Sequence, residues 1–255
     1  PRSRIRLVVE ERVEKFALMQ AKAIVVTTFA TKDLYHSKFG GFVRECVVLP
    51  MGYSPADYTE SGLGVRHEAR PITFVYGGRI NDEYRSLDDL RSFIEKVGEA
   101  NVPAVFEFYS DDAPRLYSEL RRFISEGLVN VKRPVDHISY TRILREADCL
   151  IVLGNNNVVQ VPGKIPQVVA ARRPVVYFAN LPDRSEDPAL AILRSVMRVG
   201  LYEYDGSSSL PEMLQGISSG IVELNQGVFE SMSWKTISSN FCLLIEKASN
   251  SVDQN

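Results

Sequence analysis

An α/β fold built on a parallel sheet is predicted by three features of the sequence: strand-like and helix-like segments alternate from residue 72 to residue 204, each strand comes before its helix, and the connections are short. Strands are expected at 72–76, 104–109, 128–132, 149–153, 174–178 and 201–204, with helices at about 86–98, 114–125, 138–147, 164–172 and 187–198. This order implies right-handed crossovers and therefore a Rossmann-like sheet covered on both faces.

Upstream of this alternation, residues 3 to about 22 place Ile5, Val8, Val9, Val13, Phe16, Ala17 and Met19 near helical spacing, with Glu10, Glu11, Glu14 and Lys15 between them. The run Ala23-Ile24-Val25-Val26-Thr27 reads as a buried parallel strand, Thr31 to Phe39 as a short helix and Val47-Val48-Leu49 as another strand. Periodicity is lost from Asp57 to Pro71, where Ser61, Gly62, Gly64, Arg66 and His67 suit a linker. The tail from Val228 to Ser249 carries Phe229, Trp234, Ile237, Phe241, Leu244 and Ile245, as a long terminal helix would. The chain opens without Met, directly in a charged amphipathic run, which is expected of a piece of something longer.

Composition narrows the partners. Among 255 residues, 30 basic side chains nearly balance 32 acidic ones, so no global field attracts nucleic acid and any phosphate binding must be local. Cys46, Cys149 and Cys242 are odd in number and show no CxxC spacing, which argues against a disulfide framework or zinc site and fits a reducing cytoplasm. The three histidines have no metal spacing. No apolar run is long enough to cross a bilayer, and the first residues do not read as a signal peptide, so any contact with the inner membrane would be peripheral.

In an open parallel sheet, ligands sit outside the carboxyl ends of the strands, so the loops there are the places to look. The first such loop is Gly77-Gly78-Arg79 followed by Arg85: glycines that admit a ligand to the backbone, and two arginines able to clamp a diphosphate. A tight turn with a solvated arginine explains Gly-Gly-Arg equally well, and the pattern is not a GxGxxG fingerprint. The second is the polar loop Gly154-Asn155-Asn156-Asn157, leading to Pro162-Gly163-Lys164 at an expected helix start, where Pro162 would occupy the first turn and Lys164 would meet an anion. His137 begins another expected helix, where an exposed or capping role competes with ligand contact. Asp111-Asp112 reads as a helix cap.

These elements, in this order, resemble the donor-binding domain of GT-B glycosyltransferases, especially the retaining, family-four-like enzymes. The resemblance rests on Gly78-Arg79, on Ala147-Asp148 leading into the strand from Cys149, on Pro162-Gly163-Lys164, and on Arg173-Pro174-Val175. It implies transfer of a sugar from a nucleotide diphospho-sugar, a substrate rather than a cofactor, to a glycan or lipid-linked acceptor, with no metal. It implies Arg79 and Arg85 on the donor diphosphate, Lys132, Arg133 and Pro134 beside the base and Gln167 within reach of the ribose; Gly77, Gly78, His137, Asn156, Pro162, Gly163 and Lys164 join the expected donor site from the loop and helix-start reading above, and no catalytic residue is assigned. Residues 1–56 would end an acceptor-binding domain whose remainder is missing, 57–70 would be the linker, 71–225 the donor domain, and 226–255 a helix crossing back. Val159 and Gln167 stand where the family carries paired glutamates. That departure leaves open a non-catalytic binding module, and the same fold also serves nucleotide-sugar epimerases.

Overall fold

The computed structural model describes residues 4–42, 45–58, 70–80 and 84–250. Most of the expected linker, residues 59–69, and the loop residues 81–83 lie outside that set. The described residues fall into two compact units, one drawn from Pro1–Met51 with Trp234–Asn255 and the other from Gly52–Ser233. The division therefore falls at Met51 and again at Ser233.

In the first unit, helix α1 (Arg4–Gln20) leads to strand β1 (Ile24–Val26), helix α2 (Phe29–Phe39) and strand β2 (Cys46–Val48), with β1 and β2 paired in parallel. Thr28 caps α2 by accepting from the Thr31 amide, which satisfies one of the free amides of the first turn. Leu18, Val26, Phe39 and Cys46 form a small core. The apolar stripe expected to bury α1 faces solvent instead: Val9, Val13 and Phe16 are 54%, 62% and 65% exposed, because no described segment of this unit covers them.

The second unit holds β3 (Ile72–Gly77), α3 (Asp88–Glu99), β4 (Ala104–Tyr109), α4 (Ala113–Glu119), α5 (Arg121–Ser125), β5 (Val129–Lys132), α6 (His137–Glu146), β6 (Cys149–Leu153), α7 (Ile165–Ala170), β7 (Val175–Phe178), α8 (Pro188–Val196), β8 (Met197–Val199), β9 (Leu201–Tyr204), α9 (Leu210–Ser219), β10 (Glu223–Leu224) and α10 (Gln226–Ser231). Six strands form one sheet in the order β5-β4-β3-β6-β7-β9, parallel throughout. The small antiparallel pair β8 and β10 stands apart. Helix α11 (Trp234–Asn250) returns the chain to the first unit.

Side-chain alternation along the strands divides the core into two layers. On one face Phe74 stacks on Phe106 with ring centroids 4.5 Å apart, and Phe93 from α3 meets the edges of both. On the other face Val75, Leu150, Val152 and Tyr177 pack under α6, α7 and α8. At the amino ends of β3 and β6, Arg70 grips the buried Asp148 through two nitrogens, each at 2.8 Å, while the same carboxylate accepts from the Thr73 amide at 2.8 Å. This clasp sets the register of β3 against β6 and so aligns their far ends.

Candidate functional site

Strand β3 sits beside β6, but their crossovers leave in opposite directions, to β4 on one side and β7 on the other. At such a switch point the connecting loops diverge and leave a crevice. A cavity of about 240 Å³ lies there, lined by Gly77, Gly78, Arg79 and Arg85 from one loop and Pro162, Gly163 and Lys164 from the other. Gly78 has a φ of 145°, a region that favours glycine, and a Cβ built on it would stand 3.9 Å from Lys164 Cδ. The two segments thus meet although they lie far apart in sequence.

Local packing shapes each of these side chains. A Cβ on Gly77 would overlap the Tyr140 hydroxyl, so the glycine is what lets the ring of Tyr140 close under the end of β3. That ring in turn seats Lys164, whose Nζ stands 4.5 Å above its centroid. Much of the Lys164 side chain faces solvent, yet its ammonium is drawn inward. Burial first and the Arg85 charge second push its pKa below the ordinary lysine value, with Asp111 opposing. Gly77→Ala is expected to displace Tyr140 and cost about 1–3 kcal/mol of stability by overpacking, read as a lowered unfolding midpoint in urea.

Arg85 donates from Nε to Asn155 Oδ1 at 3.0 Å and from Nη1 to the Tyr76 hydroxyl at 3.0 Å and to the Arg79 carbonyl. Arg115 from α4 frames the same loop by donating to the carbonyls of Ile80 at 3.0 Å and Arg85 at 3.1 Å. Arg79 is the opposite case, 82% exposed with Asp111 3.9 Å away, so it can swing onto a ligand at little cost. Asp112 stands at the N-cap of α4 but makes no capping bond. Its carboxylate accepts instead from the Ile80 amide at 2.6 Å, which corrects the expectation of a simple cap. Pro162 likewise lies before the turn that precedes α7, and Pro166 is the proline inside its first turn.

The remaining expected residues do not line this cavity. Lys132 pairs with Glu107 at 2.6 Å and lies over the Tyr109 ring, beside a larger cavity of about 530 Å³ on the sheet face next to β4. The cations there are spent on carboxylates, Lys132 on Glu107 and Arg70 on Asp148. Arg133 and Pro134 are exposed after β5, and His137 Nε2 is 2.7 Å from Asp57 Oδ2. Asn156 is exposed and its backbone amide donates to the Tyr84 carbonyl at 2.9 Å, while Gln167 is half-buried on α7. Sequence reading missed Tyr76, Tyr140 and Asn155; of these only Asn155 carried a signal, as a neighbour of Asn156 in the amide-rich loop.

No protein-family model matches the sequence, and no curated protein matches it significantly. Solved structures do match its fold. A glycosyltransferase from Rickettsia africae superposes with a TM-score of 0.64 at 9% identity, over 93% of this chain and 66% of that one. Sucrose-phosphate synthase from Thermosynechococcus elongatus gives 0.62 at 12% identity, over 95% and 62%. The pneumococcal O-GlcNAc transferase GtfA, solved with UDP and GlcNAc, gives 0.58 at 14% identity, over 91% and 47%. The chain therefore has the fold of the GT-B glycosyltransferases and spans about half to two thirds of the length of the structures it matches. Among the described residues, no helix is long and apolar enough to cross a membrane.

Proposed function

We propose that the chain is the donor-binding part of a glycosyltransferase that moves a sugar from a nucleotide diphospho-sugar to a glycan or lipid-linked acceptor, with retained stereochemistry. The observation that carries this reading is the meeting of Arg79, Arg85 and Lys164 on one cavity at the switch point of the sheet. A neighbour of the same fold was solved with UDP and GlcNAc. A cavity of about 240 Å³ is small for a whole donor and suits its diphosphate, with the remainder lying along the open loops.

The two arginines and the lysine would stabilise the departing nucleoside diphosphate as its charge develops, the contribution this part of the site can make to transfer. Acceptor-side groups would come from a larger first domain, expected to end at residue 56, to join a donor domain at 71–225 through 57–70 and to be revisited by 226–255, although the compact units divide at Met51 and Ser233 instead. The exposed stripe Val9, Val13 and Phe16 supports that reading, since apolar faces of this kind are normally covered. A cytoplasmic enzyme, at most peripheral at the inner membrane, follows from the same reading.

Calorimetric titration with uridine, guanosine and adenosine diphosphates and their sugars tests the proposal. Arg79→Ala is expected to weaken the preferred diphosphate about tenfold, as loss of one charge-assisted contact would; unchanged affinity would remove Arg79 from the site. A second reading, a binding module without turnover, is favoured by Val159, which offers no side-chain partner to a sugar hydroxyl. Turnover of any donor by the full-length protein would sink it.

A further inference from the structure

Of the three cations in the cleft, Arg85 has the most fully determined orientation. A guanidinium carries five N–H donors in one rigid plane. Three of them are committed, to Asn155 Oδ1, the Tyr76 hydroxyl and the Arg79 carbonyl, which fixes the plane and leaves the edge that bears Nη2. No carboxylate among the described residues forms an ion pair with it. The anchor is itself anchored: Asn155 is only 7% exposed at the end of β6, and its Nδ2 donates to the Gln160 carbonyl at 3.0 Å. Asn180, at the end of β7, ties the same two loops together. It donates to the Gly154 carbonyl at 2.8 Å and accepts from the Ser86 amide at 2.8 Å.

We propose that Asn155 is a positioning residue that aims the open edge of Arg85 at an anion in the cleft, a role that rests on reading the cleft as a diphosphate seat. An amide serves this purpose where a carboxylate would not. Its oxygen accepts from Nε and so orients the guanidinium, but it brings no negative charge, and the whole positive charge of Arg85 stays directed at the ligand. Its NH2 group meanwhile holds the loop after β6 at the spacing that Arg85 requires. Sequence context alone could not single out Asn155 from Asn156 and Asn157, because the distinction lies in which amide is turned inward.

The test is titration of the chain with inorganic pyrophosphate and with UDP, alongside observation of the Arg85 Nε–H resonance, identified by its disappearance in Arg85→Ala. Asn155→Ala is expected to weaken both probes about tenfold, to lose the Nε–H signal, and to add nothing to the loss already caused by Arg85→Ala. Asn155→Asp keeps the acceptor but neutralises the cation, so it is expected to retain the signal and still bind pyrophosphate weakly. Full additivity of Asn155→Ala with Arg85→Ala overturns the proposal, as does unaltered pyrophosphate affinity in either Asn155 variant. If the unaltered protein binds neither probe, the diphosphate reading of the cleft falls. The Nε–H signal then judges Asn155 by itself: persistence in Asn155→Ala refutes its hold on Arg85, and loss upholds it.

Discussion

Replacing Lys164 with methionine is expected to weaken nucleoside diphosphate binding by about thirtyfold, the equivalent of one charge-assisted contact of about 2 kcal/mol. The variant should not lose stability to match. A lysine whose folded pKa lies below its unfolded value is protonated less readily in the fold than in the unfolded chain, so between those two values stability rises with pH, and a charged Lys164 is a burden on the fold rather than a support. Binding has the opposite sign. The anion needs the charged ammonium, so affinity should fall as pH rises through the lowered pKa, at lower pH than an ordinary lysine would allow. The total fall is bounded by the loss that Lys164→Met shows, so its slope stays below tenfold per pH unit. Titrations between pH 7.5 and 10, above the range in which the terminal phosphate itself titrates, provide the check, and Lys164→Arg should flatten the profile.

The largest loss of stability is expected at Phe93. Its ring is fully buried and meets four others edge-on, those of Phe74, Phe106, Phe178 and Tyr204, at centroid distances of 5.6, 6.0, 5.6 and 5.1 Å. Phe93→Ala removes the transfer energy of a large side chain and leaves a cavity that five-membered packing cannot close, about 3–5 kcal/mol, plus the geometry-dependent part of the ring contacts. Phe93→Leu keeps most of the volume and should cost less than half as much. Urea unfolding of the whole chain, followed by circular dichroism, separates the two. Equal midpoints for the alanine variant and the unaltered protein would mean that α3 is not fixed by this cluster.

The strands were the most legible part of the fold. Those expected at 104–109, 149–153 and 201–204 match β4, β6 and β9 residue for residue, because each is a mostly apolar or aromatic run, interrupted only by Glu107 in β4 and Glu203 in β9, that begins directly after a proline, an acid or a glycine. Helices were less well bounded. The expected helix 114–125 is two, α4 and α5, broken at Leu120, which is completely buried and has φ −111° and ψ 16°. No glycine or proline marks that break. The terminal helix is interrupted at Met232 and Ser233, where the Met232 carbonyl accepts from the Tyr53 amide at 3.1 Å, a long-range bond with no local signature. Helix α9 did have signals that were not used, Ser209 and Pro211 at its start and Gly220, with φ 65°, at its end.

The same division runs through the cleft. Gly77 to Arg79, Arg85 and Lys164 could be found because a parallel sheet gathers its carboxyl-end loops on one edge, a property of topology that needs no side-chain detail. Tyr140 and Asn155 owe their places to contacts with residues more than sixty positions away, Gly77 and Arg85, and no periodicity encodes such a pairing. Lys132 was attractive as a cation at a strand end, yet its partner Glu107 lies on the neighbouring strand and takes up its charge.

Gly77 and Tyr140 occupy what amounts to one side chain's worth of space, and the pattern recurs where a Cβ on Gly154 would meet the Tyr177 hydroxyl and one on Gly216 the Tyr202 hydroxyl. At each pair the volume one partner gives up is the volume the other fills. Sequence drift at these positions is therefore coupled: at Gly154 a methyl can enter once the Tyr177 hydroxyl leaves, while at Gly77 and Gly216 it also meets ring carbons of Tyr140 and Tyr202, so the whole ring must shift or shrink. Variant libraries that change one residue at a time would score the three glycines as intolerant of a side chain and would miss the double changes in which the tyrosine gives way at the same time.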